Sequence, residues 1–373
     1  MSGGLYFDHA STSPPYQESL DLFNQISRDY FGNPSSLHSS GTKAKNYYQQ
    51  TKEKFCETLN FSDGLFIQTS SATESNNLII QNFKKNHPNG KIYLGHDVHA
   101  SLWFCKTLYP ESTTLIPLKP CGQYHFEEID LDSSSPKLVL INTISQDIGT
   151  LHNIQPWHKL AQSPQLHLHV DATQAAGKIP INCDLLPFDS LSFSAHKFGG
   201  LRGCGALLLR EVELTPLIYG GNQEYNTRSG TENIAVLAAS ELAYQLSLKQ
   251  YTQNKDHLIQ LDQLLLEQLS SDVTAPITQN IPEVKLPGLN NLSFPNYSGT
   301  ELVAFLSKHH IDVSTGSACS EEKKEPSRTL LALGKSEAES LGSLRISFGI
   351  HHTEKDVTQL TTTLSQAILE LKV

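Results

Sequence analysis

The chain has 373 residues, which at roughly 150 residues per domain predicts two domains and a sizeable core. With 38 acidic against 28 basic side chains the formal net charge is -10, so no long-range field draws it to nucleic acid or to an anionic membrane surface. Hydrophobic residues at 38% and charged residues at 18% mark a soluble globular chain, and no stretch reaches the ~20 apolar residues of a spanning helix.

The opening Met1-Ser2-Gly3-Gly4-Leu5-Tyr6-Phe7-Asp8 has neither a basic nor an apolar run, so no targeting segment is expected. From residue 60 to 210 short apolar runs alternate with polar, helix-compatible stretches, the pattern of βαβ units around a buried, mainly parallel sheet. Seven strands are predicted, at 65–68, 91–94, 114–117, 137–142, 166–171, 190–194 and 205–209. From 233 a long helical stretch runs through Leu269, with Leu258, Leu261, Leu265 and Leu269 at helical spacing. A strand near 292–294, a helix over 300–310, a strand over 344–348 and a closing helix capped by Thr353 complete a smaller α+β unit. The predicted division is a large domain over 13–250 and a small one built from 1–12 and 251–373. The six cysteines, Cys56, Cys105, Cys121, Cys183, Cys204 and Cys319, show no C-x-x-C and no regular spacing, which fits a reducing cytoplasm.

Four clusters could carry chemistry. Lys197 follows a buried strand in Ser192-Phe193-Ser194-Ala195-His196-Lys197-Phe198-Gly199-Gly200, where a partly desolvated amine can form a Schiff base with a carbonyl cofactor. A surface lysine at a strand end is the plain alternative. Asp171 ends the strand before Ala172-Thr173-Gln174, placed to pair with the nitrogen of a pyridinium ring. Its rival is a metal site in which His167, His169 and Asp171, alternating on one strand face, act as ligands of a metal-dependent hydrolase. The turn Thr69-Ser70-Ser71-Ala72-Thr73-Glu74 could hold a phosphate at a helix start, or be an ordinary capping turn. Cys319, in Ser314-Thr315-Gly316-Ser317-Ala318-Cys319-Ser320, lies in a small, polar, charge-flanked segment that suits an exposed nucleophile or an incidental surface thiol.

In order along the chain these segments resemble the NifS/IscS-type cysteine desulfurases of the class V aminotransferase group. The resemblance also covers Tyr6-Phe7-Asp8, Phe31-Gly32-Asn33-Pro34, the His99 segment, Gly220-Gly221-Asn222-Gln223-Glu224, Arg228-Ser229-Gly230-Thr231 and Leu344-Arg345-Ile346-Ser347. It implies pyridoxal 5′-phosphate (PLP), the fold type I large domain with a seven-stranded sheet, and a homodimer. Lys197 matches the Schiff-base lysine, Asp171 the partner of the ring nitrogen, Gln174 the residue bonding the phenolic oxygen and His99 the imidazole stacked on the ring. Ala72, Thr73, Ser194 and His196 match phosphate and cofactor contacts, with Thr231 reaching in from the neighbouring subunit. Arg345 matches the carboxylate-binding arginine, assisted by Asn33, and alternation along its strand puts it opposite Leu344 and Ile346.

The chain departs from the family at Ser145-Gln146-Asp147, where Asn-Asn-Glu is usual, so Gln146 takes the place of an asparagine near the cofactor. Tyr225, Asn226 and Thr227 replace basic residues, and the chain stops at Val373 without a longer tail. The resemblance implies that L-cysteine is converted to L-alanine with sulfur passing to Cys319 as a persulfide, His99 serving as acid or base. It also implies delivery to an iron–sulfur scaffold or another acceptor protein. The alternatives are selenocysteine lyase or another class V reaction, and a non-catalytic PLP-fold protein.

Overall fold

The computed structural model describes residues 4–130, 134–210, 214–273, 275–280, 282–316 and 325–371. After β1 (Leu5–Tyr6), helix α1 (Gln17–Asp29) and helix α2 (Ser39–Leu59), the chain enters the central sheet. Its strands are β2 (Leu65–Thr69), β3 (Lys91–Gly95), β4 (Thr113–Ile116), β5 (Lys137–Asn142), β6 (Leu166–Asp171), β7 (Ser190–Ser194) and β8 (Gly205–Leu209). They lie in the order β2-β8-β7-β6-β5-β3-β4. All neighbouring pairs from β7 across to β4 are parallel, whereas β8 runs antiparallel to both β7 and β2. The fold is thus α/β with a mainly parallel seven-stranded sheet, as the strand pattern predicts. At the edge, β4 ends at Ile116 rather than at 117, because Pro117 has no N–H to extend the ladder.

Every residue of β5 is buried because both sheet faces are covered. Val139 and Ile141 join one apolar cluster with Val170, Phe193 and Leu208, while Leu138 and Leu140 join another with Ile67, Ile92 and Leu207. The period of two that sorts these side chains is the pleat itself, and each large apolar side chain so buried contributes about 1.5–3 kcal/mol. Helix α3 (Ala72–Asn86) follows β2 and presses Ile79, Ile80 and Phe83 onto the second face.

The predicted helix from 233 through 269 is two helices, Ile234–Gln253 and Lys255–Asp272. Asn254 divides them: its backbone leaves the helical region (φ -109°, ψ 14°), and its side-chain Nδ2 joins its own N–H on the Gln250 carbonyl, the local bonding by which asparagine ends a helix. Leu258, Leu261, Leu265 and Leu269 then face a separate core with Leu292, Leu344, Ile346, Phe348, Val357, Leu360 and Leu364. That core is built on the antiparallel sheet of β9 (Thr278–Gln279), β10 (Leu289–Ser293) and β12 (Ser343–Ser347), in the order β12-β10-β9. The predicted closing helix is Glu354–Glu370, and Thr353 forms a capping box with Asp356.

The N-terminal segment links the two regions. β1 pairs in parallel with β11 (Ile311–Asp312), Asp8 bridges Ser347, and the Ser13 N–H donates to the His196 carbonyl at 2.8 Å. Residues 8–13 therefore cross between Arg345 on β12 and the carboxyl ends of β6 and β7. That crossing encloses a cavity at the strand ends, where ligands collect in open α/β sheets.

Candidate active site

The cavity encloses about 260 Å3 and is lined by residues from both regions. Of the residues singled out in the sequence, Ala72, Thr73, His99, Gln146, Asp171, Gln174, Ser194, His196, Lys197 and Arg345 all line it. Asn33 and Thr231 do not: both are exposed, and the Asn33 side-chain carbonyl accepts from the Ser35 N–H at 2.9 Å. Cys319 lies outside the described residues.

Asp171 is the last residue of β6, with Asn142 and Ser192 beside it on the neighbouring strands. One carboxylate oxygen accepts from the Thr173 N–H and the other from Asn76 Nδ2, both at 2.9 Å. Asn76 is fully buried on α3, and its remaining amide hydrogen goes to Ser101 Oγ at 2.9 Å. Its carbonyl oxygen accepts from Ser192 Oγ at 2.6 Å and meets His169 Nε2 at 2.8 Å. This arrangement fixes the amide orientation and requires the His169 tautomer with its proton on Nε2.

His99 is bound to the same network. It caps a short helix, and its Nδ1 accepts the Ser101 N–H at 3.1 Å, so the neutral ring carries its proton on Nε2. Burial pushes the His99 pKa down, opposed by the charge of Asp171.

Lys197 follows β7 in a single 3-10 turn, and its Nζ donates to the Ala10 carbonyl at 2.8 Å. Gln174 Nε2 donates to that same carbonyl at 2.8 Å. Gln174 Oε1 accepts from Lys178 Nζ at 2.8 Å, which leaves the second amide hydrogen of Gln174 available to the cavity. Burial, and then the charges of Lys197 and Arg345, push the Lys178 pKa down to about 7. At the other end of the cavity, Ser71 caps α3 and Ser194 Oγ accepts the Ala72 N–H at 2.7 Å. Gly205 allows this closeness, since a Cβ there would stand 2.5 Å from the Ser71 backbone. The hydroxyls and the helix start together make an anion cradle.

Arg345 is 2% exposed. Its Nη2 bonds Asp8 Oδ1 at 2.9 Å and Ser11 Oγ at 2.6 Å, and its Nη1 bonds the Gln146 backbone carbonyl at 3.1 Å. The Arg345 Nε and the Thr173 Oγ1 are buried with no protein partner, two polar atoms left for a ligand. An amine, a strand-end carboxylate, an imidazole, an amide donor and an anion cradle around one cavity fit PLP.

His167 and His169 do not join Asp171 around a common point. Both meet Ser190 Oγ, at 2.7 and 2.8 Å, and Asn76 stands between His169 and Asp171. Among the described residues, the three-residue group with converging ligand atoms is instead His9, His351 and His352.

Asn76, Ser101, Lys178 and Asp8 had no assigned role in the sequence reading. Asn76 carried a usable signal, a polar residue on the same helical stripe as Ile79, Ile80 and Phe83. Lys178 lies four residues beyond Gln174, in the turns that follow β6.

An α/β sheet with a lysine and a carboxylate at adjacent strand ends, completed by an arginine from a second core, defines a type I PLP-enzyme architecture. The aminotransferase class-V family model matches residues 5–360, and the chain belongs to that family. A relative named cysteine desulfurase IscS, from Dictyoglomus turgidum, is 31% identical over 379 residues, covering 100% of this chain and 96% of its own. A solved structure described as a NifS-like protein superposes with a TM-score of 0.89 at 27% identity, covering 99% of this chain and 100% of that one. Another, described as SspA in complex with cysteine, has a TM-score of 0.79 at 27% identity, covering 94% and 100%.

Proposed function

We propose that this protein is a PLP-dependent cysteine desulfurase that converts L-cysteine to L-alanine and holds the removed sulfur on Cys319 as a persulfide. The observation that carries the reading is the convergence of Lys197, Asp171 and Arg345 on one cavity. The full-length likeness to a protein named cysteine desulfurase and the cysteine-bound neighbour support it.

Thr73, Ser194 and His196 would hold the phosphate of PLP, joined by Thr231 of the partner subunit, and Ala72 would lie against the cofactor beside them. Asp171 would hold the ring nitrogen, Gln174 the phenolic oxygen, and His99 and Gln146 would lie against the ring. When bound, PLP supplies an electron sink next to the substrate Cα. Lys197, held by the Ala10 carbonyl, moves the proton at Cα. Arg345 binds the substrate carboxylate, with Asn33 assisting, and Asp8 fixes the guanidinium plane through Nη2. His99 presents Nε2–H towards the substrate thiol and exchanges its proton there.

Cys319 attacks the substrate sulfur. The S–S bond forms as the C–S bond breaks, its electron pair leaves with the carbon fragment, and protonation gives alanine. Cysteine and the Cys319 thiol thus yield alanine and the Cys319 persulfide, with no external oxidant. Asp147 ties the chain just beyond the Cys319 segment to the cavity rim, because its Oδ2 accepts from Ser327 Oγ and Thr329 Oγ1.

Thr231 and Asn33 are exposed in the single chain, and so are Tyr219 and Tyr225. Their exposure supports a homodimer in which Thr231 completes a neighbouring site. The sulfur acceptor is an iron–sulfur scaffold or comparable carrier in the cytoplasm. Among the described residues, no helix is long and apolar enough to cross a membrane. The reading divides the chain into a large domain over 13–250 and a small one from 1–12 and 251–373.

The test is alanine release from L-cysteine by the PLP-loaded protein, alongside Cys319→Ser. Wild type should form alanine, and the variant should keep its PLP absorption while losing most of the turnover. Full turnover in Cys319→Ser overturns the nucleophile assignment; an absence of alanine from loaded wild type overturns the function.

A further inference from the structure

Three histidines that do not line the cavity meet beside the segment of residues 8–10. His9 comes from the N-terminal segment, and His351 and His352 from the turn before the closing helix. Their ligand nitrogens all lie within 4.8 Å of one another. The His351 and His352 rings are stacked at 4.5 Å between centroids, and His9 approaches them at 5.3 and 5.7 Å.

His9 Nε2 is buried without a hydrogen-bond partner. An imidazole nitrogen left unmet beside two further imidazoles is costly unless something binds it. The turn at Gly349 brings the rings this close: a Cβ there would stand 2.5 Å from His9 Nε2 and 2.6 Å from the His351 ring. His352 Nδ1 lies 2.8 Å from the Gly349 N and 3.0 Å from the Gly349 carbonyl oxygen, and ligation through Nε2 puts the ring proton on Nδ1, where that carbonyl accepts it. The backbone behind His352 is held as well, since its carbonyl accepts from His257 Nε2 at 2.8 Å. His351 is exposed and leaves an open approach from solvent.

We infer that His9, His351 and His352 form a binding site for a borderline first-row divalent cation, zinc or nickel in chemical class. Three neutral imidazoles with an open fourth position suit such ions and not calcium or magnesium, which take oxygen ligands. Tetrahedral metal–nitrogen bonds of about 2.0–2.1 Å set the nitrogens roughly 3.3 Å apart, so the three would close by up to roughly 1.5 Å on binding. The occupied site would clamp the N-terminal segment to the C-terminal turn. His9 lies between Asp8, which holds Arg345, and Ala10, whose carbonyl holds Lys197 and Gln174, so the cation braces the backbone that carries both ends of the cavity.

The test uses the PLP-loaded full chain carrying Cys319→Ser, which removes the thiol most able to capture zinc. Titration with zinc alone should show one ion per chain, and X-ray absorption should show imidazole nitrogens without sulfur in its shell. Adding His351→Ala should weaken zinc by about 100-fold or more, beyond the 10–100-fold typical of an outer partner. It should also abolish the rise in melting temperature that zinc produces. His310→Ala, at another exposed histidine, should change neither. Unchanged zinc affinity after His351→Ala, equal weakening by His310→Ala, or sulfur in the zinc shell would overturn the site. In the chain that keeps Cys319, His351→Ala without metal should form alanine at the parental rate.

Discussion

Thr173 Oγ1 aside, the floor of the cavity and the wall opposite differ in how completely their polar atoms are satisfied. On the floor, Asp171, Asn76, Ser101, Ser192 and His169 use one another in a closed hydrogen-bond network anchored in the central sheet and α3. Across the cavity, Arg345 spends its Nη atoms on Asp8, Ser11 and a carbonyl and keeps a buried Nε unmet. A network closed without ligand is preorganised, so its shape does not wait for binding. A buried donor held open is instead suited to a group that comes and goes. Under the proposed function the floor would hold the cofactor and the wall the substrate.

Replacing Arg345 breaks that division most sharply. Arg345→Lys keeps the charge but loses the planar fork, and a charge-assisted hydrogen bond contributes about 1.5–3 kcal/mol, so kcat/KM for L-cysteine should fall roughly 10- to 100-fold. PLP retention should be unchanged, as checked by steady-state kinetics beside the absorption spectrum. A loss of PLP instead of a kinetic defect would mean that wall and floor are not separate in function.

Asn76→Leu attacks the floor. It strips partners from Asp171, Ser192, Ser101 and His169 together, and stability should drop on the order of 3 kcal/mol, read as a lower urea midpoint with weaker PLP retention. A midpoint equal to wild type would show that the network is incidental.

The smallest expected effect is in pH. Burial holds His169 at about 3 against 6.5 for the free side chain, and His167 at about 4. Below 6.5 the unfolded chain takes up protons that these folded rings refuse, so stability should decline as pH falls from 6.5 towards 3. Urea midpoints at pH 7.5, 6 and 5 should fall in that order, and His169→Gln should flatten the trend. A midpoint that rises on acidification would contradict the buried, neutral assignment.

The sheet could be read from the sequence because a strand covered on both faces is a continuous apolar run, as β5 and β6 are. The direction of β8 could not, since Gly205-Ala206-Leu207-Leu208-Leu209 is equally apolar read either way. The break at Asn254 was hidden because the leucine period continues beyond it, while the backbone leaves the helical region at that single residue. Lys197, Asp171 and Arg345 were visible as polar residues at strand ends or on a strand's far face. Asp8 and Ala10 were not, because their roles depend on a crossing between two cores, and Ala10 acts through its backbone carbonyl, which no side-chain pattern reports.

The central claim is that Lys197 is the amine that tethers PLP in this cavity. Borohydride reduction of the PLP-loaded protein, followed by peptide mass spectrometry, tests it directly. The expected result is a pyridoxyl adduct on the peptide containing Lys197 and none on Lys178, 2.8 Å from Gln174 Oε1. An unmodified Lys197, or an adduct placed on Lys178, would contradict the account.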